Sequence, residues 1–335
     1  MLSFLIIAAL LITVFLLGYR EKTLLWWPDE SSSDSRSVSS GNFSDLSLGE
    51  LADRIHQREQ ETPHLVAGAE KLIQFADPEK PSKTRFSVIY IHGFSACRQE
   101  ISPVPERVAN CLGANFYATR LTGHGTSVEA LGDATPDDWI EDVVEAWHIA
   151  TCLGEKVIIM ATSTGATLAT WMAQQQTVQA KLASLVLVAP NYRPNHKAIG
   201  LFLWPWARYW LPLITGPDYG VASLDELEAK YWTVPYPIRV LFGVVALSQA
   251  VYESDVACIK APTLFIYCDA DKTVYSSVTE KVIARWGATV VEQLKEPAQE
   301  GSTNHVIAGN IFRPQSTDRL VHEILNFIHN SDDTA

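Results

Sequence analysis

Ser163 stands in Ala161-Thr162-Ser163-Thr164-Gly165, directly after the apolar run Val157-Ile158-Ile159-Met160 and before a stretch of helical character. A serine on a strand-to-helix turn forms a nucleophile elbow. The turn must be sharp enough to lift the hydroxyl out of a sheet, and small residues two positions either side let strand and helix pass closely. The same pentapeptide suits an ordinary helix cap, with Ser163 or Thr164 accepting from the first turn. A nucleophilic serine needs a base, and the base needs an orienting acid. Both follow it in the chain. The apolar run at 262–267 ends in Cys268-Asp269-Ala270-Asp271-Lys272-Thr273-Val274, and the run at 289–294 leads into a polar loop holding Asn304-His305-Val306. In this order His305 takes the Ser163 proton, and Asp269 or Asp271 fixes its tautomer. Either aspartate also suits the cap of a helix starting near Ser276. His322 and His329 fall in a C-terminal helical stretch, and His56, His64 and His148 precede the serine or lie on helices. None of these fits the base.

Attack on a carbonyl also needs donors for the developing negative charge. The β-rich run Ser87-Val88-Ile89-Tyr90-Ile91 ends at His92-Gly93-Phe94. A backbone N–H after such a strand, with the N–H that follows the nucleophile, makes an oxyanion hole. That assigns the donors to Phe94 and Thr164, with Gly93 permitting the backbone angles the loop needs. His92 reads as a structural histidine.

These residues resemble the α/β-hydrolase family, and within it the branch of monoacylglycerol lipases, bacterial carboxylesterases and serine-aminopeptidase-like hydrolases. The matching stretches are Tyr90 to Phe94, Arg120-Leu121-Thr122-Gly123-His124-Gly125, Asp138-Trp139 with Asp142, Ala161 to Gly165, Asp269 to Val274, and Asn304-His305. They lie within residues 65–329. The resemblance implies an α/β fold with a mostly parallel central sheet flanked by helices, and a helical cap inserted before the acid strand. In that branch the acid stands a few residues after its strand and shortly before a valine, which favours Asp271 over Asp269. Two positions depart from the pattern: Ala161 stands where glycine is usual, and Asp269 where a small residue is usual. Dehalogenase and epoxide hydrolase chemistry would need an acid in place of Ser163. The acyl-enzyme route needs no metal and no organic cofactor.

The elements that must position these groups are legible as continuous apolar runs at 87–91, 115–119, 156–160, 182–188, 263–267 and 289–294. Continuous rather than alternating runs suit strands covered on both faces of a parallel sheet. Helical stretches at 136–153 and 316–329 lie between or after them. Pro136 suits a first helical position, with Asp133 or Thr135 as its cap. Ser47-Leu48-Gly49-Glu50 is a capping-box pattern opening an earlier helix. The rhythm breaks between Pro190 and Ala261, where about seventy residues replace one crossover. Trp204, Trp206 and Trp210 fall here, and packing inside the cap is the expectation for most of them. Contact with a bilayer is the alternative. On this aromatic surface Arg193, Lys197 and Arg208 are the main charges, and the abundance of apolar side chains with so few fixed charges favours an uncharged acyl substrate.

The chain has 335 residues, 47% apolar and 19% charged, enough for one large core or two modest ones. A net charge of −12 with no basic cluster excludes nucleic acid as a partner. Its five cysteines have neither disulfide-framework nor metal spacing. Residues 2–18, LSFLIIAALLITVFLLG, are uncharged and near the short limit for a membrane span. Tyr19, Trp26 and Trp27 sit where an interfacial aromatic belt is expected. No Lys or Arg precedes the run and no A-x-A-like site follows it, so a retained single-pass anchor is expected rather than a cleaved signal peptide. Arg20 and Lys22, offset by Glu21, leave the side of the membrane open.

The expected organisation is an anchor and aromatic flank at 1–28 and a Ser-rich linker at 29–45. The first part of the core follows at 46–190, a cap or lid at 191–261, and the second part of the core at 262–335. The expected function is that of a membrane-anchored serine hydrolase cleaving carboxylic esters, from small esters to monoacylglycerol-like lipids. Peptidases, thioesterases and acyltransferases use the same triad, and fold alone does not separate them. A non-catalytic ligand-binding protein on this fold usually lacks a triad member, and here all three candidates are present.

Overall fold

The architecture is that of a computed structural model, which describes residues 13, 15, 17–27, 43–223 and 225–332. Its strands are β1 (Leu72–Gln74), β2 (Thr84–Ile91), β3 (Asn115–Ala118), β4 (Gly154–Thr162), β5 (Leu182–Val188), β6 (Asp218–Tyr219), β7 (Tyr236–Pro237), β8 (Thr263–Tyr267) and β9 (Val291–Lys295). Seven of them form one sheet in the order β1-β3-β2-β4-β5-β8-β9, while β6 and β7 pair separately. Every neighbouring pair in the large sheet is parallel except β1 with β3. The chain moves from β2 to β3 on one side, then returns to lay β4 on the other. The loops at the C-terminal ends of β2 and β4 therefore part at this reversal, where open α/β sheets leave a crevice for ligands.

The apolar runs are continuous because both faces of the sheet are covered. Ile89, Ile91, Ile159, Ala161, Leu185, Leu187 and Phe265 point into one core, with the helices Pro136–Leu153, Thr164–Met172 and Arg239–Glu253. Val88, Tyr90, Ile158, Met160, Val186, Val188, Leu264 and Ile266 point into the other, with Val104–Cys111 and Pro314–Asp332. The last strand departs from this expectation. β9 lies at the sheet edge, with Glu292, Gln293 and Lys295 exposed. β1 has no counterpart among the runs read from sequence.

Local chemistry explains the helix limits. Thr135 and Asp138 form a capping box with Pro136 at the first turn, and Gly154 ends that helix. Ser47 and Glu50 do the same for Leu48–Gln60, which buries Leu51, Ile55 and Glu59 one above the other at i, i+4 and i+8. Between β5 and β8, a cap cluster joins Ile199, Phe202, Ala207 and Leu211 to Ile238, Phe242 and Val245. The Arg239–Glu253 helix faces both ways: Phe242 and Val245 enter the cap cluster, while Val240, Val244, Leu247 and Val251 enter the sheet core. The tryptophans do not follow the expected pattern. Trp210 packs against the cap cluster, but Trp204 and Trp206 remain 53% and 39% exposed.

Among the described residues no helix is long and apolar enough to cross a membrane. The span expected at 2–18 and the linker expected at 29–45 lie for the most part outside the described residues. Trp26 and Trp27, expected in an interfacial belt, are partly buried on the protein itself. Both lie against the sheet core, the Trp27 ring 5.4 Å from that of Trp171, because partly burying an indole on the Thr164–Met172 helix removes apolar area from water. Upstream, Trp206 donates its backbone N–H to the Tyr19 carbonyl at 2.7 Å, and Arg208 pairs with Glu21 at 3.4 Å. Residues 17–27 thus touch the cap at one end and the core at the other.

Candidate active site

β4 ends at Thr162 and a helix begins at Thr164, leaving Ser163 alone to make the turn at φ 52° and ψ −118°. This is a sparsely populated conformation for a residue with a side chain, and it persists only where surroundings hold it. They do: Ser163 donates its N–H to Val188 and its carbonyl accepts from Asn191 and Thr167, at 2.9, 3.1 and 3.2 Å. A Cβ at Gly165 would lie 2.3 Å from the Ile91 carbonyl oxygen and 2.5 Å from that of His92. Only glycine lets the helix pass the end of β2 this closely. At the other small position, the methyl of Ala161 is accommodated within the core.

Asp271 and His305 reach this serine from the loops after β8 and β9. His305 Nε2 is 2.9 Å from Ser163 Oγ, and His305 Nδ1 is 2.8 Å from Asp271 Oδ2. The other carboxylate oxygen of Asp271 accepts the N–H groups of Thr273 and Val274 at 2.7 and 3.0 Å, fixing the acid in place. All three residues are buried. With a carboxylate at Nδ1, that nitrogen carries the hydrogen and Nε2 accepts from the serine hydroxyl. Burial alone would push the imidazole down, but the charge and hydrogen bond of Asp271 hold it above the ordinary histidine value. Asn304, at φ 61°, turns the chain before His305 and is anchored by Arg313 and by the Gln299 N–H. Asp269 does not join them. Its side chain is 64% exposed and pairs with Lys295 at 3.1 Å.

Phe94 and Thr164 flank Ser163 at the ends of β2 and β4. Neither backbone N–H has a protein acceptor among the described residues, whereas the Gly93 N–H is committed to Glu100 at 2.8 Å. His92 has both ring nitrogens in use, one with the Gly93 carbonyl at 2.8 Å and the other accepting from Leu121 N–H at 3.0 Å. Burial, aided by the charge of Arg120, pushes it down to about 4, so it stays neutral and ties two loops together. The Phe94 ring meets Tyr236 edge-on at 5.0 Å, and the Ser95 carbonyl accepts Thr233 N–H at 2.8 Å, fastening the cap to this loop. Burial pushes the Cys97 thiol up to about 12, which makes it a poor nucleophile.

Two neighbours of the site escaped the sequence reading. Glu100 is a buried carboxyl that accepts from the Gly93 N–H and the Tyr90 hydroxyl, and a lone acid carries no sequence pattern. Asn191 donates Nδ2 to Thr164 Oγ1 at 3.2 Å, and its carbonyl accepts from Thr167 Oγ1 at 2.7 Å, bracing the elbow helix. Its place just after β5 was the only available signal.

The geometry has recognisable relatives. A model of the alpha/beta hydrolase family matches residues 88–308. A thermostable monoacylglycerol lipase from Bacillus sp. (strain H-257) is 27% identical over 99 residues, which are 30% of this chain and 39% of that lipase. Among solved structures, one from work on the metagenome-derived lipolytic enzymes LipS and LipT aligns with a TM-score of 0.64 at 20% identity, over 79% of this chain and 99% of that one. The monoacylglycerol lipase of Paleococcus ferrophilus aligns at 0.58 and 15% identity, over 78% and 98% of the two chains. A soluble variant of the Saccharomyces cerevisiae monoglyceride lipase aligns at 0.58 and 13% identity, over 78% and 91%. These structural likenesses concern the fold, while the family match spans both the oxyanion loop and the histidine loop: the chain belongs to the α/β-hydrolase family.

Proposed function

We propose that this protein is a membrane-associated serine hydrolase that cleaves carboxylic esters of uncharged acyl substrates, monoacylglycerols among them. The observation that carries this reading is the unbroken chain from Ser163 Oγ to His305 to Asp271, at 2.9 and 2.8 Å. Ser163 Oγ attacks the ester carbonyl as His305 Nε2 takes its proton, and Asp271 stabilises the imidazolium that forms. The N–H groups of Phe94 and Thr164 hold the oxyanion. His305 returns the proton to the departing alcohol, leaving Ser163 acylated. Water, deprotonated by His305, then attacks the acyl-enzyme and frees the acid. The likeness to monoacylglycerol lipases supports the lipid end of the substrate range.

The membrane part of the proposal rests on the apolar sequence 2–18 and on the cap face beside residues 17–19. There Trp204, Trp206, Tyr209, Leu213 and Ile214 are exposed. A patch of this kind next to an apolar tether suits a lipid surface.

Hydrolysis of p-nitrophenyl esters from acetate to palmitate by detergent-solubilised protein tests the reading, with Ser163→Ala beside it. Turnover that falls about 10⁶-fold in the variant is expected. A folded parent with no turnover at any chain length overturns the ester assignment and turns attention to amides, thioesters and acyl transfer.

A further inference from the structure

Glu100 ends the short turn Arg98–Glu100 behind the oxyanion loop and is almost wholly buried. One carboxyl oxygen, Oε2, accepts the Gly93 N–H at 2.8 Å and the Tyr90 hydroxyl at 3.0 Å. The Tyr90 hydroxyl lies 3.0 Å from Thr162 Oγ1, and Thr162 immediately precedes the serine. Its other oxygen, Oε1, stands 2.6 Å from the place a Cβ on Gly93 would take, and Ser163 Cβ is 3.0 Å from the same point. The carboxyl and the serine therefore face each other across the bare Cα of Gly93. One side chain thus binds the residue before the oxyanion donor Phe94 and, through Tyr90, the residue before the nucleophile.

We propose that Glu100 is a positioning residue for ester cleavage, its carboxyl locking the oxyanion loop to the nucleophile strand so that the N–H groups of Phe94 and Thr164 converge on one oxygen. This rests on the serine-hydrolase reading above. Acyl transfer gains most from donors aimed at the oxyanion before it forms, and a loop held at Gly93 has little freedom left at Phe94. The proposal also fixes the useful charge state. A carboxylate beside a developing oxyanion opposes it in a medium of low dielectric, so the working form is the neutral acid. The titratable groups around it are Tyr90 from β2, Cys97 on its own loop, and His305 from the loop after β9. Glu106 lies beyond Tyr90. Among the described residues no Arg or Lys side chain makes a hydrogen bond or ion pair with Glu100, and burial pushes its carboxyl up. Gln reproduces the neutral acid, since its amide oxygen accepts the same two hydrogen bonds.

The test compares the full chain with Glu100→Gln and Glu100→Ala. It measures kcat and KM on p-nitrophenyl butyrate, the rate at which a fluorophosphonate labels Ser163, and the inhibition constant of a trifluoromethyl ketone. Glu100→Gln is expected to stay within about threefold of the parent in all of them. Glu100→Ala is expected to lower kcat and labelling about 10- to 100-fold and weaken the ketone by a similar factor, with KM within about twofold. A kcat unchanged in Glu100→Ala overturns the positioning role, and a Glu100→Gln as impaired as Glu100→Ala overturns the neutral acid. If Glu100→Ala does not fold, Tyr90→Phe decides, with an expected loss of about threefold in labelling rate and no loss overturning the proposal. A parent that labels at Ser163 but cleaves no ester removes the ester reading and leaves the labelling arms to judge Glu100. A parent that does not label removes both.

Discussion

The ends of the central strands and the cap above them are built to opposite rules. At the strand ends the triad and its neighbours have fixed partners: Asp271 is held by two N–H groups, His92 uses both ring nitrogens, and Ser163 is braced at its N–H and its carbonyl. On the cap, Leu213 and Ile214 are 84% and 75% exposed, and the apolar cluster beneath them is small. Placement of reacting atoms demands rigid supports, whereas admission of a water-insoluble substrate demands apolar surface that costs little to move. On the proposed function, the contrast separates residues that would set the rate from residues that would meet a lipid surface.

The contrast breaks most sharply at the acid. Asp271→Asn is expected to lower kcat about 10⁴-fold by leaving His305 in the wrong tautomer, while Asp269→Asn stays within about twofold; steady-state assays with butyrate esters decide between them. Equal loss in both would mean that Asp269 takes part. The next effect is on stability. Arg120 donates to both oxygens of Glu59 at 2.8 and 2.9 Å in a buried pair, so Glu59→Ala strands a guanidinium and is expected to cost about 3–5 kcal/mol in denaturant melts.

A smaller effect is the pH profile. His305 must be neutral to act as base, and its pKa lies above the ordinary value near 6.5. Hence kcat/KM is expected to rise with pH along a limb centred above that value. Asp271→Asn removes the charge that raises it, so the residual activity should show the limb at lower pH. The smallest effect on folding belongs to the cap. The double change Leu213→Ser and Ile214→Ser is expected to alter stability by about 0.5 kcal/mol or less, yet to weaken binding of detergent-free protein to phospholipid vesicles in flotation. Unchanged flotation would detach the cap from the lipid surface.

Much of this was legible in the sequence because the physics involved is local or periodic. β5 and β8 match their apolar runs residue for residue, and the Pro136–Leu153 helix matches its capping signals. Ser163, Asp271 and His305 each follow an apolar run at a strand end, so their order and spacing could be read. The structure brings them within hydrogen-bonding distance. β1 was hidden because three residues offer no period, and it exists through pairing with β3. The exposure of β9 depends on which strand lies last in the sheet, which no run of residues encodes. The packing of Trp26 and Trp27 on the core was not legible, because indoles at a bilayer interface and indoles on a protein surface look alike in composition. Glu100 acts through Gly93 and Tyr90, and Asn191 through Thr164 and Thr167 on the elbow helix; these contacts follow no sequence period, so nothing in their own neighbourhoods announces them.

Glu59 has a wider consequence. The stretch shared with the family begins at residue 88, but the counterion of Arg120, on the loop beside the site, sits on a helix that ends at Gln60. The pre-domain helix is therefore an integral subunit of the hydrolase in all but name. Anyone grafting this catalytic module onto another tether, or swapping modules between relatives, must carry the graft junction back to Ser47. A cut at the family boundary would sever an electrostatic keystone that the homologous region alone does not reveal.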